Sequence, residues 1–188
     1  MARFIDRGAI IAGWVGAGMA MVIVIALELI IPIQPLVLLA AIPAGAVIGA
    51  YANVRSQRRR PAQRVVGNAL YAGALTGLTL AVLYVAIRLL FIYADTGVLP
   101  DGTRLDCATG PACVYAREVA DGKAQQLVEI GVTDAAGYEA AKLAALAEVG
   151  LMLVLFTLAG AMVAGGFQAL SGRGRRQDTE GEEATTAA

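Results

Sequence analysis

Four long apolar runs, separated by short polar punctuation, limit what this chain can become. The first extends from Gly8 to Ile31 and is broken only by Glu28. The second goes from Leu36 to Asn53, the third from Val65 to Tyr93 around Arg88, and the fourth from Leu143 to Leu170 around Glu148. A helix needs roughly 20 mainly apolar residues to cross a bilayer, and each run meets or approaches that length. Within hydrocarbon every backbone polar group must find its partner inside its own segment, so runs of this kind form helices. Charged residues make up only 16% of the 188 residues, against 58% hydrophobic. A soluble domain carries about a quarter charged residues. The expected fold is therefore all-α: a polytopic membrane protein with a bundle of four transmembrane helices (8–31, 36–53, 65–93 and 143–170) and an external segment, 94–142.

The second strong signal is the loop Arg55-Ser56-Gln57-Arg58-Arg59-Arg60-Pro61-Ala62-Gln63-Arg64, with five arginines and no acid. Basic residues in short loops stay on the cytoplasmic side during insertion. Arg55, Arg58, Arg59, Arg60 and Arg64 thus set a topology with both termini inside. Arg3, Arg7, Arg173, Arg175 and Arg176 fall on the same side, whereas eight acids, Asp95 to Glu139, fall outside. The zero formal net charge hides this separation. The same arginines are placed to touch anionic headgroups. Without interleaved aromatic residues they do not form a nucleic-acid platform.

Met1 to Arg7 resembles the charged start of a signal peptide. The apolar part of a leader is only about 7–15 residues, though, and no small-x-small cleavage site follows. A retained first helix is expected, with a cleaved leader as the alternative. Pro32 and Pro35 disfavour continuous helix between the first two spans and predict a tight hairpin. Pro43 should bend the second span. The tail, 171–188, turns from arginine to acid without apolar residues and reads as a disordered cytoplasmic segment.

Small residues recur every four positions: Gly8, Ala12, Gly16 and Ala20; Ala41, Gly45 and Gly49; Ala69, Gly73, Gly77 and Ala81; Gly160 with Ala164, and Ala161 with Gly165. Such strips let helix backbones approach closely in lipid. Deeper polar groups are scarce, and Thr76, Thr79 and Thr157 are expected to bond their own helix backbone.

Three ionisable residues interrupt the spans at similar depth. At about 1.5 Å per residue, Glu28 lies roughly 5 Å from the outer end of its run, and Arg88 and Glu148 about 7–8 Å from theirs. Uncompensated charge there is expensive, so Arg88 is expected to pair with Glu28, Glu148 or both. The alternative is that each reaches the headgroups alone, which is easier for arginine than for glutamate. In the external segment, Cys107 and Cys113 bracket the turn Thr109-Gly110-Pro111 on the side read as oxidising. This predicts a disulfide, with two free thiols as the alternative. Two short helices, Val114 to Ala120 and Lys123 to Ile130, should flank Asp121-Gly122. Thr133-Asp134 should start the last helix, with the Thr133 hydroxyl as cap.

The chain has no histidine, no H-E-x-x-H and no phosphate loop in strand-to-helix context. Catalysis, a metal site and a cofactor are therefore not expected. The order of parts (hairpin 8–53, basic loop Arg55–Arg64, glycine-rich span Gly67–Tyr93, long external segment 94–142) resembles that of small bacterial four-helix integral membrane proteins of unknown function. That resemblance is architectural and implies an inner-membrane location without transferring a role. Tetraspanins share the loop order, but their Cys-Cys-Gly signature is absent. The expectation is a non-enzymatic accessory or scaffold component that engages a membrane protein, or copies of itself, through helix packing. The competing expectation is a small oligomeric transporter or channel using Glu28, Arg88 and Glu148.

Overall fold

The computed structural model describes residues 5–30, 34–56, 61–99 and 101–186, with side chains described as far as Ser171 except at 30, 34 and 35. The elements are α1 (Arg7–Ile25), continued by a π-helical turn (Ala26–Ile30), α2 (Gln34–Val54), α3 (Ala62–Tyr93), α4 (Pro111–Glu118), a second π-helical turn (Val119–Lys123), α5 (Ala124–Glu129) and α6 (Ala135–Thr186). No strand occurs among the described residues. Their only sheet-like pairing is an isolated antiparallel bridge between Val98 and Arg104. Four helical stretches are long and apolar enough to cross a membrane: Arg7–Leu29, Leu36–Val54, Ala62–Tyr93 and Ala135–Ser171. The protein is an all-α, multi-pass membrane protein.

Contacts divide the chain into two compact units, one of Met1–Val82 with Leu151–Ala188 and one of Leu83–Gly150. The first unit is a bundle of α1, α2 and parts of α3 and α6, and its interior inverts the usual size order. Gly8, Ala12, Gly16 and Ala20 are all buried on α1, as are Ala41, Gly45 and Gly49 on α2, and Ala69, Gly73, Gly77 and Ala81 on α3. Bulk points outward: Trp14, Val22, Leu39, Val47, Val82, Val163 and Phe167 are each at least 60% exposed. In water so extensive an apolar surface would drive association; against lipid tails it needs no cover.

Glycine makes the close approaches possible. A methyl group at Gly16 would overlap the Thr76 hydroxyl of α3 and stand 2.8 Å from Ile48 of α2. One at Gly45 would overlap the Thr157 carbonyl of α6, and one at Gly160 the Ile42 carbonyl of α2. Gly49 on α2 and Gly73 on α3 both abut Ala161 of α6. Hence α1 packs on α2 and α3, and α6 packs on the same two helices. Helix α2 continues through Pro43, and Gly160, having no side chain, comes close to Ile42 just before it and to the Ala46 amide just after it.

The second unit carries its own small core of Leu127, Val132 and Tyr138, packed with Val114 and Tyr115. The predicted pair of short helices is present, and Gly122 breaks between them with φ +80°. Asp134, not Thr133, caps α6: its carboxylate accepts from the Gly137 amide at 2.7 Å. Thr133 instead offers its carbonyl to the Tyr115 hydroxyl at 3.0 Å. Both residue types suit an N-cap, and the tyrosine contact that occupies Thr133 comes from a residue 18 positions away. Helix α6 is continuous through Gly137 and Gly150, and its backbone continues helically past Ser171 to Thr186.

Candidate functional site

The residues singled out from sequence fall into three groups. Glu28 belongs to the first unit and lies in the π-helical turn that extends α1. Turns of this type widen the helix and recur at functional sites. The side chain is 6% exposed, so the chain holds a carboxyl group inside an apolar span. Arg88 and Glu148 belong to the second unit. The Arg88 guanidinium lies over the buried Tyr84 ring, 5.6 Å from its centroid, a cation–π arrangement that strengthens as water is excluded. Glu148 is exposed.

Cys107 and Cys113 are joined as a disulfide, with Cα atoms 5.1 Å apart. The bridge closes over Gly97, whose φ of +71° and lack of a side chain leave room for both sulfurs. Around it lies a polar lock that sequence reasoning missed. The Arg117 guanidinium donates to the buried Asp95 carboxylate at 2.8 Å and to the Val98 carbonyl at 3.2 Å. The same carboxylate accepts from the Gly97 amide at 2.7 Å, and the Asp95 carbonyl accepts from the Gly110 amide at 2.8 Å. An Asp two residues before a Gly is a local turn signal that could have pointed to half of this lock. Its partner Arg117 is 22 positions away and leaves no such signal.

Beyond the lock, the main-chain pairs Leu99–Thr103 and Leu105–Gly97 form a small hairpin. The Asp101 carboxylate accepts from both the amide and the hydroxyl of Thr103, each at 2.9 Å. These bonds hold its carboxyl below the usual range, the amide being the stronger cause. Lys123 donates to Glu118 at 2.6 Å, and that bond raises the lysine above its ordinary value.

Of the basic loop, Arg58, Arg59 and Arg60 lie outside the described residues. Arg55 is exposed, and its Nε donates to the Tyr51 hydroxyl at 3.0 Å while the guanidinium stacks 5.6 Å from that ring. Arg64 is half-buried in the first turn of α3. Sequence reasoning also missed the tie between α1 and α3 near this loop. The buried Asn68 accepts from the Asp6 amide at 3.1 Å and donates to the Asp6 carboxylate at 2.9 Å. Gln168 adds a longer bond to the Ala50 carbonyl at 3.4 Å.

In the middle of the first unit, Thr76 and Thr157 are fully buried, and each hydroxyl donates to the carbonyl four residues back, Ala72 at 2.9 Å and Leu153 at 2.7 Å. Thr79 does the same to Leu75 at 2.8 Å. These bonds leave no hydroxyl hydrogen facing a passing solute. Among the described residues no group of three His, Cys, Asp or Glu is placed to hold a metal ion. The chain matches no family model, and neither a curated protein nor a solved structure is similar to it.

Proposed function

We propose that this protein sits in a bacterial inner membrane with both termini and Arg55–Arg64 on the cytoplasmic side, and that it serves as a non-enzymatic accessory or scaffold component. The observation that carries the reading is the closed interior of the bundle. Glycine seams bring α2, α3 and α6 into backbone contact, and the buried threonines use their hydroxyl hydrogens on their own helices. What remains for work is the outer surface: apolar helix faces that fit another membrane protein or a further copy, and arginines that fit anionic headgroups. Crosslinking in native membranes, followed by gentle solubilisation and pull-down, should return one stable stoichiometric partner or a homo-oligomer. A lone protomer would overturn the reading. A reporter fused after Arg60 should stay in the cytoplasm; activity on the other side would reverse the topology.

The burial of Glu28 in a π-helical turn favours a second reading, an oligomeric transporter or channel that uses the charged residues. In both readings an uncompensated charge inside a span is costly, so Arg88 is proposed to pair with Glu28, Glu148 or both. Charge exchange tests this. Arg88→Glu should be rescued by Glu28→Arg or Glu148→Arg, and failure of both rescues removes the pairing. Transport predicts that cysteines placed at Thr76, Thr79 and Thr157 react with membrane-impermeant thiol reagents, whereas the scaffold reading predicts protection.

A further inference from the structure

The end of α5 presents two apolar side chains outward from a backbone that gives them no alternative. Helix α5 stops at Gly131, which has φ +80°. The Val132 amide donates to the Leu127 carbonyl at 2.8 Å and the Gly131 amide to the Val128 carbonyl at 2.9 Å. This pair of bonds, one spanning five residues and one spanning three, is the Schellman motif, which normally brings the residue after the glycine against the residue five before it. Here those two are Leu127 and Val132, 8% and 3% exposed, and they close on Tyr138 of α6. With that face committed inward, Val128 and Ile130 are turned out, 59% and 71% exposed. Elsewhere in this external segment the large apolar side chains that reach the surface, Val98 and Val119, are less exposed, at 47% and 37%, so the two rigidly held β-branched side chains at this tip most need an apolar neighbour.

The residues beneath them say at what height that neighbour lies. Tyr138, against which Leu127 and Val132 pack, meets the tilted Tyr115 ring at 5.8 Å between centroids and carries the Lys142 ammonium 5.1 Å from its own ring centroid. At the next residue of α6, Glu139 accepts from the Tyr93 hydroxyl at the end of α3. Tyr138 itself is buried, but the exposed Tyr93 has the form that gathers at the headgroup level, where one end of the side chain is wet and the other apolar, and the exposed Lys142 can snorkel to the same level. Tyr138 precedes the apolar run at Leu143 by about 7 Å of helix, within the thickness of one headgroup layer.

We infer that Val128 and Ile130 form a wedge that dips into the bilayer leaflet on the side of residues 94–142, so that this segment rests on the lipid surface as well as being tied to it through α3 and α6. The contact does not depend on which compartment that side faces, and it is distinct from the partner surface proposed above.

The test uses the full chain, with Trp14→Phe removing the native indole, reconstituted into phosphatidylcholine vesicles. Ile130→Trp and, separately, Val128→Trp place a fluorophore at the tip, where there is space for it. The expected result is a blue-shifted emission with a loss of intensity that is larger with bromines near the headgroup end of the acyl chain than with bromines near its middle, and protection from aqueous iodide. Quenching by iodide with no response to brominated lipid would show the tip in water and overturn the inference. Protection from both quenchers would also overturn it, since a second copy or another protein would then cover the tip.

Discussion

Gly45 of α2 offers the sharpest test of how the bundle is held. Gly45→Ala would drive a methyl into the Thr157 carbonyl oxygen of α6, with 2.7 Å to the carbonyl carbon and 2.9 Å to Cα. Carbon contacts relax near 3.5–4.0 Å, so the two helices must part by roughly 1 Å, because backbone, unlike a side-chain tip, has no rotamer to swing away. Parting them also withdraws Gly160 from Ile42 and Gly49 from Ala161, contacts so close that a methyl added at Gly49 would stand 3.0 Å from the Ala161 Cα. Overpacking of this kind costs about 1–3 kcal/mol, and the shared backbone contacts put this site near the top of that range. Alanine's better helix propensity returns at most ~1 kcal/mol. The net is a loss of about 2 kcal/mol, roughly 30-fold in the folding equilibrium. Gly18→Ala makes the identical chemical change on α1, where no atom lies within 4 Å of the new methyl. Only the propensity gain then operates, so that variant should be neutral or up to ~1 kcal/mol more stable. Unfolding in mixed micelles by increasing SDS fraction, followed by helicity, measures both. If the two variants shift the midpoint in the same direction, or differ by less than about 0.5 kcal/mol, the packing argument is wrong.

Four further outcomes follow from the same structure. Asn68→Leu strips the Asp6 amide and carboxylate of a buried partner and should destabilise the bundle by about 1–3 kcal/mol in the same SDS titration, with the N-terminal turn of α1 exchanging amide hydrogens first. The double variant Cys107→Ser and Cys113→Ser reopens a short loop with a sequence separation of 6, worth about 2 kcal/mol by loop entropy, and should raise hydrogen exchange across 97–113 while leaving the α1–α2 contact unchanged. Because the Asp101 carboxyl titrates below its unfolded value, its turn contributes stability above about pH 3.9 that disappears as pH falls towards the lower folded value, read at the Thr103 amide. Lys123 has the opposite sign: its contribution is present at neutral pH and is lost as pH rises through the raised lysine value, visible as loosening of the Glu118 contact.

The spans and their buried faces were legible because both are written in local spacing. In lipid, packing favours whatever lets backbones meet, so a glycine or alanine every fourth residue marks the seam directly, as Gly45, Gly73 and Gly160 demonstrate. The threonines were legible for the same reason, since their partners lie four residues back on the same helix. The polar ties were not. Asp6 and Asn68 are 62 positions apart, and nothing in either neighbourhood names the other. The Tyr138 core depends on where α5 lands, which no periodicity announces. Glu28 was recognisable as an oddity in an apolar run, but the π-helical turn around it has no sequence signature and arises from how the segment leaves α1.

The inverted interior has an evolutionary corollary. In a water-soluble protein the large hydrophobic positions are the ones a mutational scan finds intolerant; here the ranking should run backwards. Exchanging Val163 or Phe167 for another oily residue leaves the solvent on that side unchanged, whereas adding one carbon at Gly45 or Gly160 does not. Drift would then accumulate on the biggest side chains while the smallest stay put, and distant descendants would be recognised by the positions of their glycines rather than by the identity of their leucines.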